Sequence, residues 1–312
     1  MRSSQPGWEP AAAITVRALR KAYRGVEAVR GVDFDVPSGQ VFALLGPNGA
    51  GKTTTTEILE GYRRRDGGEV SVLGADPARA GMRLRERIGI VLQGGAFDHY
   101  LTVSEVLALW GRYYPRPRPV TELLAIAGLE QKARARIRDL SGGQQRRLDL
   151  ALALAGNPEL IFLDEPTAGF DPSARRGAWQ LIRDLAGQGI TVFLTTHYMD
   201  EAQELADRVA VMSNGQIIAS GPPQSLGADH RAVVRFQLPD TAGLPPRLPG
   251  LSPVASEAGA WELRTSQPAA DLHALTGWAL EHGTDLHALT VSQPTLEDIY
   301  LLLTASGNQE TT

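Results

Sequence analysis

The chain has 312 residues, of which 43% are hydrophobic, and a formal net charge of −4. That is apolar content enough for one large domain or one large plus one small, and it excludes a disordered chain. No surplus of positive charge exists to displace counterions from nucleic acid, and the lack of cysteine removes disulfides, thiolate catalysis and Cys-based zinc sites.

Residues 1–11, with Arg2, Trp8 and Glu9 and no apolar core, read as a disordered tail and not as a signal peptide. No run of about eighteen apolar residues occurs anywhere, so the chain reads as soluble and cytoplasmic, with any membrane role coming through a partner. Alternating segments at 14–16, 26–29 and 32–36 predict strands of an antiparallel sheet. The continuous apolar run at 41–45 is that of a buried parallel strand. A glycine-rich turn follows it, then a helix over 53–59 and a second buried strand over 88–92.

From 103 to 155 the spacing is helical, broken by a Pro-rich loop at 114–119. Strands at 160–163 and 191–194 flank a helix over 172–186, which restores α/β alternation. Asn214-Gly215 between two apolar runs predicts a hairpin. Beyond Gly221 the character changes. Strands at 233–238, 261–264 and 286–291, a Pro/Gly-rich loop at 241–253, and helices at 269–281 and 295–303 predict a small α+β domain. The division is a nucleotide-binding domain at 12–224, an accessory or regulatory domain at 225–305 and a tail at 306–312. The segment Asp-Leu-His-Ala-Leu-Thr occurs at both 271–276 and 285–290, in different predicted elements, and its His273 and His287 are not read as metal ligands.

Gly46-Pro47-Asn48-Gly49-Ala50-Gly51-Lys52-Thr53, with Thr54 behind it, is a phosphate-binding loop. Glycines are needed because backbone amides must approach phosphate oxygens with no Cβ between them. The positive end of the following helix adds to the site. Lys52 would reach the β- and γ-phosphates and the Thr53 hydroxyl would bind Mg²⁺. Only three of the 31 basic residues are lysines, and Lys52 stands out against that arginine background. Asp164 ends an apolar strand, which suits a metal-bound carboxylate at the mouth of a parallel sheet. Glu165, next along, is placed to polarise an attacking water.

Leu140-Ser141-Gly142-Gly143-Gln144 opens another helix. Ser141 alone would be an ordinary N-cap. The paired glycines make a second anion-binding turn, and one chain has no obvious need of two. The order of these segments resembles the ABC ATPase family over about residues 14–221. The resemblance implies an α/β phosphate-loop NTPase core with an N-terminal antiparallel β subdomain and a helical subdomain at about 94–155. It further implies that Gln93 touches Mg²⁺ and water and that His197 contacts the γ-phosphate. The resemblance also implies that Tyr23 stacks on adenine and that the segment Ala168-Gly169-Phe170-Asp171 signals between protomers; a leucine is commoner in the family where Phe170 stands. In the family two copies sandwich two ATP molecules, so Ser141, Gly142, Gly143, Gln144 and Asp171 serve the partner's nucleotide. A homodimer bound to an integral membrane permease, on the inner face of the membrane, is thus expected, with no nucleic-acid partner.

The tail, ending Gln293-Pro294-Thr295-Leu296-Glu297-Asp298-Ile299-Tyr300, resembles that of daunorubicin-resistance-type drug-export ATPases. That implies export of drugs or hydrophobic natural products. An importer ATPase differs only in the tail. DNA-repair and chromosome ATPases insert long coiled coils between the phosphate loop and the signature, whereas here that gap is one compact segment. Ribosome-associated members usually carry two such domains in tandem, and this chain has one. Arg63-Arg64-Arg65 and the arginines between Arg134 and Arg147 read as solvated faces and not as a nucleic-acid surface.

Overall fold

A computed structural model describes residues 12–91, 100–226, 232–239, 245–254 and 259–292. Gln93, the terminal tails and the helix expected at 295–303 lie outside the described residues. The chain divides into two compact units, Met1–Pro222 and Pro223–Thr312.

In the first unit β1 (Ala12–Tyr23) and β2 (Val26–Pro37) pair antiparallel. The short strands expected at 26–29 and 32–36 are one strand. Leu19 faces Val32 while Arg20 faces Arg30, so Gly31 is skipped as a bulge that breaks the alternation without ending the pairing. The apolar run becomes β3 (Val41–Leu45), with all five residues buried, and α1 (Lys52–Leu59) follows the glycine-rich turn. β4 (Gly67–Val72) joins the other side of β1 as a third antiparallel strand. The sequence reading does not include it, because Gly67-Gly68-Glu69 carries no strand pattern. Short helices α2 (Pro77–Ala80) and α3 (Met82–Arg85) lead to β5 (Ile88–Val91).

The helical stretch resolves into α4 (Val103–Gly111), α5 (Val120–Ala127) and α6 (Gly142–Ala153). The Pro-rich run joins α4 to α5. A second break follows α5, where Gly128 takes a left-handed C-cap at φ 60° and only two short 3-10 turns precede Ser141. β6 (Leu160–Asp164), α7 (Pro172–Gly187), β7 (Thr191–Thr196) and α8 (Met199–Leu205) come next. The unit closes with the hairpin of β8 (Arg208–Ser213) and β9 (Gln216–Gly221), turning at Asn214-Gly215.

The central sheet has the order β5-β6-β7-β3-β8-β9 and is parallel except for β9. Leu45 pairs with Thr196 and Asp164 pairs with Thr195, so β3, β6 and β7 end level. Their carboxyl ends form the edge where open α/β sheets bind ligands. Phe34 of β2 stacks on Phe42 of β3 at 5.3 Å, and Phe42 on Phe193 of β7 at 5.6 Å. This row packs the three-stranded sheet on the central one. Burial of each ring contributes roughly 1.5–3 kcal/mol.

One peripheral device has a testable pH signature. Arg65 donates to both carboxylate oxygens of Asp76, at 2.8 and 2.9 Å, and Asp76 also caps α2 through the Ala78 amide. Hydrogen bonding from Arg65 holds the Asp76 carboxyl down to about 2, against an ordinary 3.8. A depressed carboxyl stabilises the fold fully above 3.8, and that contribution is lost as pH falls toward 2. Arg65→Ala should cost on the order of 1 kcal/mol near neutrality. The gap from wild type in thermal midpoint should close on acidification through this window; a gap independent of pH would contradict the assignment.

In the second unit β10 (Ala232–Gln237), β11 (Leu251–Pro253), β12 (Ala260–Thr265) and β13 (His287–Ser292) form an antiparallel sheet of order β11-β12-β10-β13. Helix α9 (Pro268–Glu281) contributes Leu275 to a core with Val234, Phe236 and Leu263. β11 lies within the stretch expected to be loop. The repeated hexapeptide is helical at 271–276 and runs into β13 at 285–290, an instance of tertiary context overriding local propensity.

Candidate active site

The loop after β3 is shaped by close approach. A Cβ on Gly46 would lie 2.2 Å from the Met212 carbonyl oxygen, and one on Gly51 would lie 2.4 Å from that of Ala28. Gly51 also holds φ 104°, a conformation that side chains resist. Ala50 is buried, and its carbonyl accepts from the Gly215 amide at 3.0 Å, while Gly215 in turn accepts from Arg30 of β2. The hairpin turn therefore ties the loop to the antiparallel sheet.

Lys52 is only 6% exposed and donates to the carbonyls of Gly46 at 2.6 Å and Pro47 at 3.1 Å. Burial pushes its pKa down, against the opposing charges of Glu165 and Asp164. Thr55 and Thr56 donate their hydroxyls to carbonyls of Gly51 and Lys52, whereas Thr53 is exposed at the cleft.

An open cleft of about 580 Å³ is lined by Tyr23, Asn48, Gly49, Gly51, Lys52, Thr53, Thr54, Asp164 and Glu165, with Ala28. Its size suits a nucleotide. Tyr23 ends β1, with the Arg63 guanidinium 5.2 Å and the Lys21 ammonium 5.5 Å from its ring centre. Arg63 also pairs with Glu57 and Arg65 with Asp76, so these two arginines are engaged within the chain and are not simply a solvated face.

Asp164 is the last residue of β6 and accepts from the Thr195 hydroxyl of β7. Glu165 sits at φ 45°, an uncommon conformation for a residue with a side chain, held by its amide bond to the Thr195 carbonyl at 3.0 Å. Its Oε1 lies 2.8 Å from His197 Nδ1. A carboxylate only accepts, so the hydrogen in this contact is on Nδ1. Thr195, absent from the sequence-derived set, thus orients both acidic residues. Nothing in the sequence announces it, because the pairing of β6 with β7 is what brings it there. Thr53 and Asp164 supply a hydroxyl and a carboxylate oxygen at one cleft, the hard donors that Mg²⁺ takes when it also binds substrate phosphates.

Ser141 caps α6 in a capping box: its Oγ accepts from Gln144 N at 3.3 Å, and its own amide donates to Gln144 Oε1 at 2.9 Å. A Cβ on Gly142 or Gly143 would meet nothing within 4 Å. Gly142, Gly143 and Asp171 border one cleft of about 440 Å³. Ser141, Gly143, Gln144 and Asp171 border another of about 730 Å³. Among the described residues none of these five lines the Lys52 cleft.

A glycine-rich loop from a parallel strand into a helix, a buried lysine and two successive carboxylates at the end of β6 define a phosphate-loop nucleoside triphosphatase. Residues 29–168 match the ABC transporter family, and residues 232–295 match the C-terminal domain of ABC transporter domain-containing-like proteins. The Nod factor export ATP-binding protein I of Ralstonia nicotianae is 39% identical, with 96% of each chain covered. The daunorubicin/doxorubicin resistance ATP-binding protein DrrA of Streptomyces peucetius is 36% identical, over 95% of this chain and 93% of that one. Among solved structures, cbiO1 of Clostridium perfringens, part of the ABC transporter complex cbiONQ, superposes with a TM-score of 0.64 at 30% identity. It covers 70% of this chain and 91% of its own. A dimeric post-hydrolysis state of the ATP-binding cassette MJ0796, bound to ADP and Pi, gives a TM-score of 0.60 at 26% identity, over 67% and 98% of the chains. The chain belongs to the ABC transporter family as an ATP-binding subunit, an ATPase coupled to transport.

Proposed function

We propose that this subunit powers export through a separate membrane permease, working as a homodimer that closes on ATP. Likeness to the export proteins across both units supports the direction of transport. Among the described residues no helix is long and apolar enough to cross a membrane, so a permease partner would supply the path. Drugs or hydrophobic natural products are the proposed cargo.

Lys52 and the backbone N–H groups of the loop at 46–54, other than at Pro47, which has none, hold the phosphates, and Tyr23 stacks on the base. Thr53, Asp164 and Gln93 would hold Mg²⁺, which would neutralise charge on the phosphates. Glu165 polarises the attacking water while His197 contacts the γ-phosphate. Ser141, Gly142, Gly143, Gln144 and Asp171 act in trans, on the partner's nucleotide.

One observation carries the composite site. Gly46 and Gly51 are glycine because the chain's own backbone lies against them, whereas the space beside Gly142 and Gly143 is open. A requirement for glycine there would come from outside the chain, as from a partner's phosphates seeking bare amides. Gly143→Ala should therefore leave ATP binding intact and raise α6 stability by up to about 1 kcal/mol. Turnover should fall on the order of 10²-fold, the worth of a misplaced anion donor. Wild-type turnover in Gly143→Ala would count against the role, and Gly46→Ala should instead disrupt the loop itself.

A further inference from the structure

Tyr198, the residue after His197, takes no part in the roles above. Its ring packs on the imidazole of His197, with centroids 4.0 Å apart and planes 37° apart. Its amide donates to Thr196 Oγ1 at 3.0 Å, which fixes the turn out of β7. The guanidinium of Arg175, on α7, lies 5.1 Å from the Tyr198 ring centre. Arg175 is held in turn by Asp200 at 3.1 Å, and its amide donates to the Asp171 carbonyl at 3.0 Å. A continuous set of contacts thus runs from Asp171 through Arg175, Tyr198 and His197 to Glu165.

His197 and Tyr198 are both only partly buried, so core packing does not hold their rings. The imidazole torsion is soft. Among the described residues its one hydrogen bond runs from Nδ1 to Glu165, which must loosen when that carboxylate turns to the attacking water. Some other contact has to keep the ring in plane at that moment. A stacked aromatic braced by a cation does so without using either imidazole nitrogen.

We propose that Tyr198, braced by Arg175, is a positioning residue for His197, holding its ring with Nδ1 toward Glu165 and Nε2 left for the nucleotide. The inference rests on the reading of His197 as the γ-phosphate contact. Because Arg175 lies one helical turn beyond Asp171, the same contacts make the ring's orientation sensitive to the segment that would face the partner protomer.

The test is single-turnover ATP hydrolysis by the full chain at saturating ATP, in a double-mutant cycle with His197. Tyr198→Leu should slow hydrolysis by roughly tenfold, the worth of an aromatic pair, with ATP affinity unchanged. Tyr198→Phe, which keeps the ring, should match wild type. Arg175→Met should cost about two- to fivefold. In a His197→Ala background neither Tyr198→Leu nor Arg175→Met should cost anything more, because the ring they position is gone. Equal losses in both backgrounds, or a Phe variant as slow as the Leu variant, would overturn the inference while leaving the role of His197 intact. Wild-type hydrolysis by His197→Ala would overturn that role and this inference with it. Should Tyr198→Leu fail to fold, Arg175→Met carries the same cycle.

Discussion

Glu165→Gln should lower ATP turnover by roughly 10²–10⁴-fold, the range for loss of general-base assistance. Gln keeps the shape of the side chain and an oxygen able to accept from His197 Nδ1, a contact of 2.8 Å in the native protein. It removes the negative charge that polarises water. The backbone at φ 45° is held by Thr195 and not by the carboxylate, so the local fold should survive the change. Lys52 and the glycine loop are untouched. ATP binding should therefore persist, and the nucleotide-bound dimer should accumulate on size exclusion because the step that reopens it is blocked. A phosphate-release rate near wild type would refute the role of Glu165.

Much of this site was legible because its parts are local in sequence. The strand at 41–45, the glycine turn and the helix behind it announce a phosphate loop by composition and spacing alone. The hairpin at Asn214-Gly215 was equally plain, since that dipeptide suits a two-residue turn. The helix start at Ser141 was visible as a capping residue, and the two glycines behind it are ones that capping does not require.

What was not legible depends on partners distant in the chain. β4 has little intrinsic strand character and exists because β1 offers it a free edge. β2 looks like two short fragments because the bulge at Gly31 interrupts the alternation, and β1 is interrupted by a register shift between Val16 and Leu19, although the pairing runs on through both. The orientation of Asp164 and Glu165 by Thr195 follows from the register of two strands separated by α7. The brace on the Tyr198 ring likewise comes from Arg175 of α7, and no sequence pattern links position 175 to position 198.

The central claim is that each ATP is held by one chain's Lys52 loop and its partner's Ser141 turn, which in a single chain border separate clefts. The decisive measurement mixes two damaged chains. Lys52→Ala removes the ammonium from the phosphate loop, and Ser141→Arg places a bulky side chain at the start of α6. Either homodimer carries one damaged half in each of its sites, so neither should trap nucleotide. In the heterodimer one site collects both lesions, while the other pairs an intact Lys52 loop with an intact Ser141 turn. Nucleotide trapping with orthovanadate, which mimics the departing phosphate, is the readout, because steady-state turnover could require two working sites. Tagged heterodimers should trap about one nucleotide per dimer, where a simple sum of the homodimers gives none. Verified heterodimers that trap nothing would contradict the composite site and the mechanism built on it.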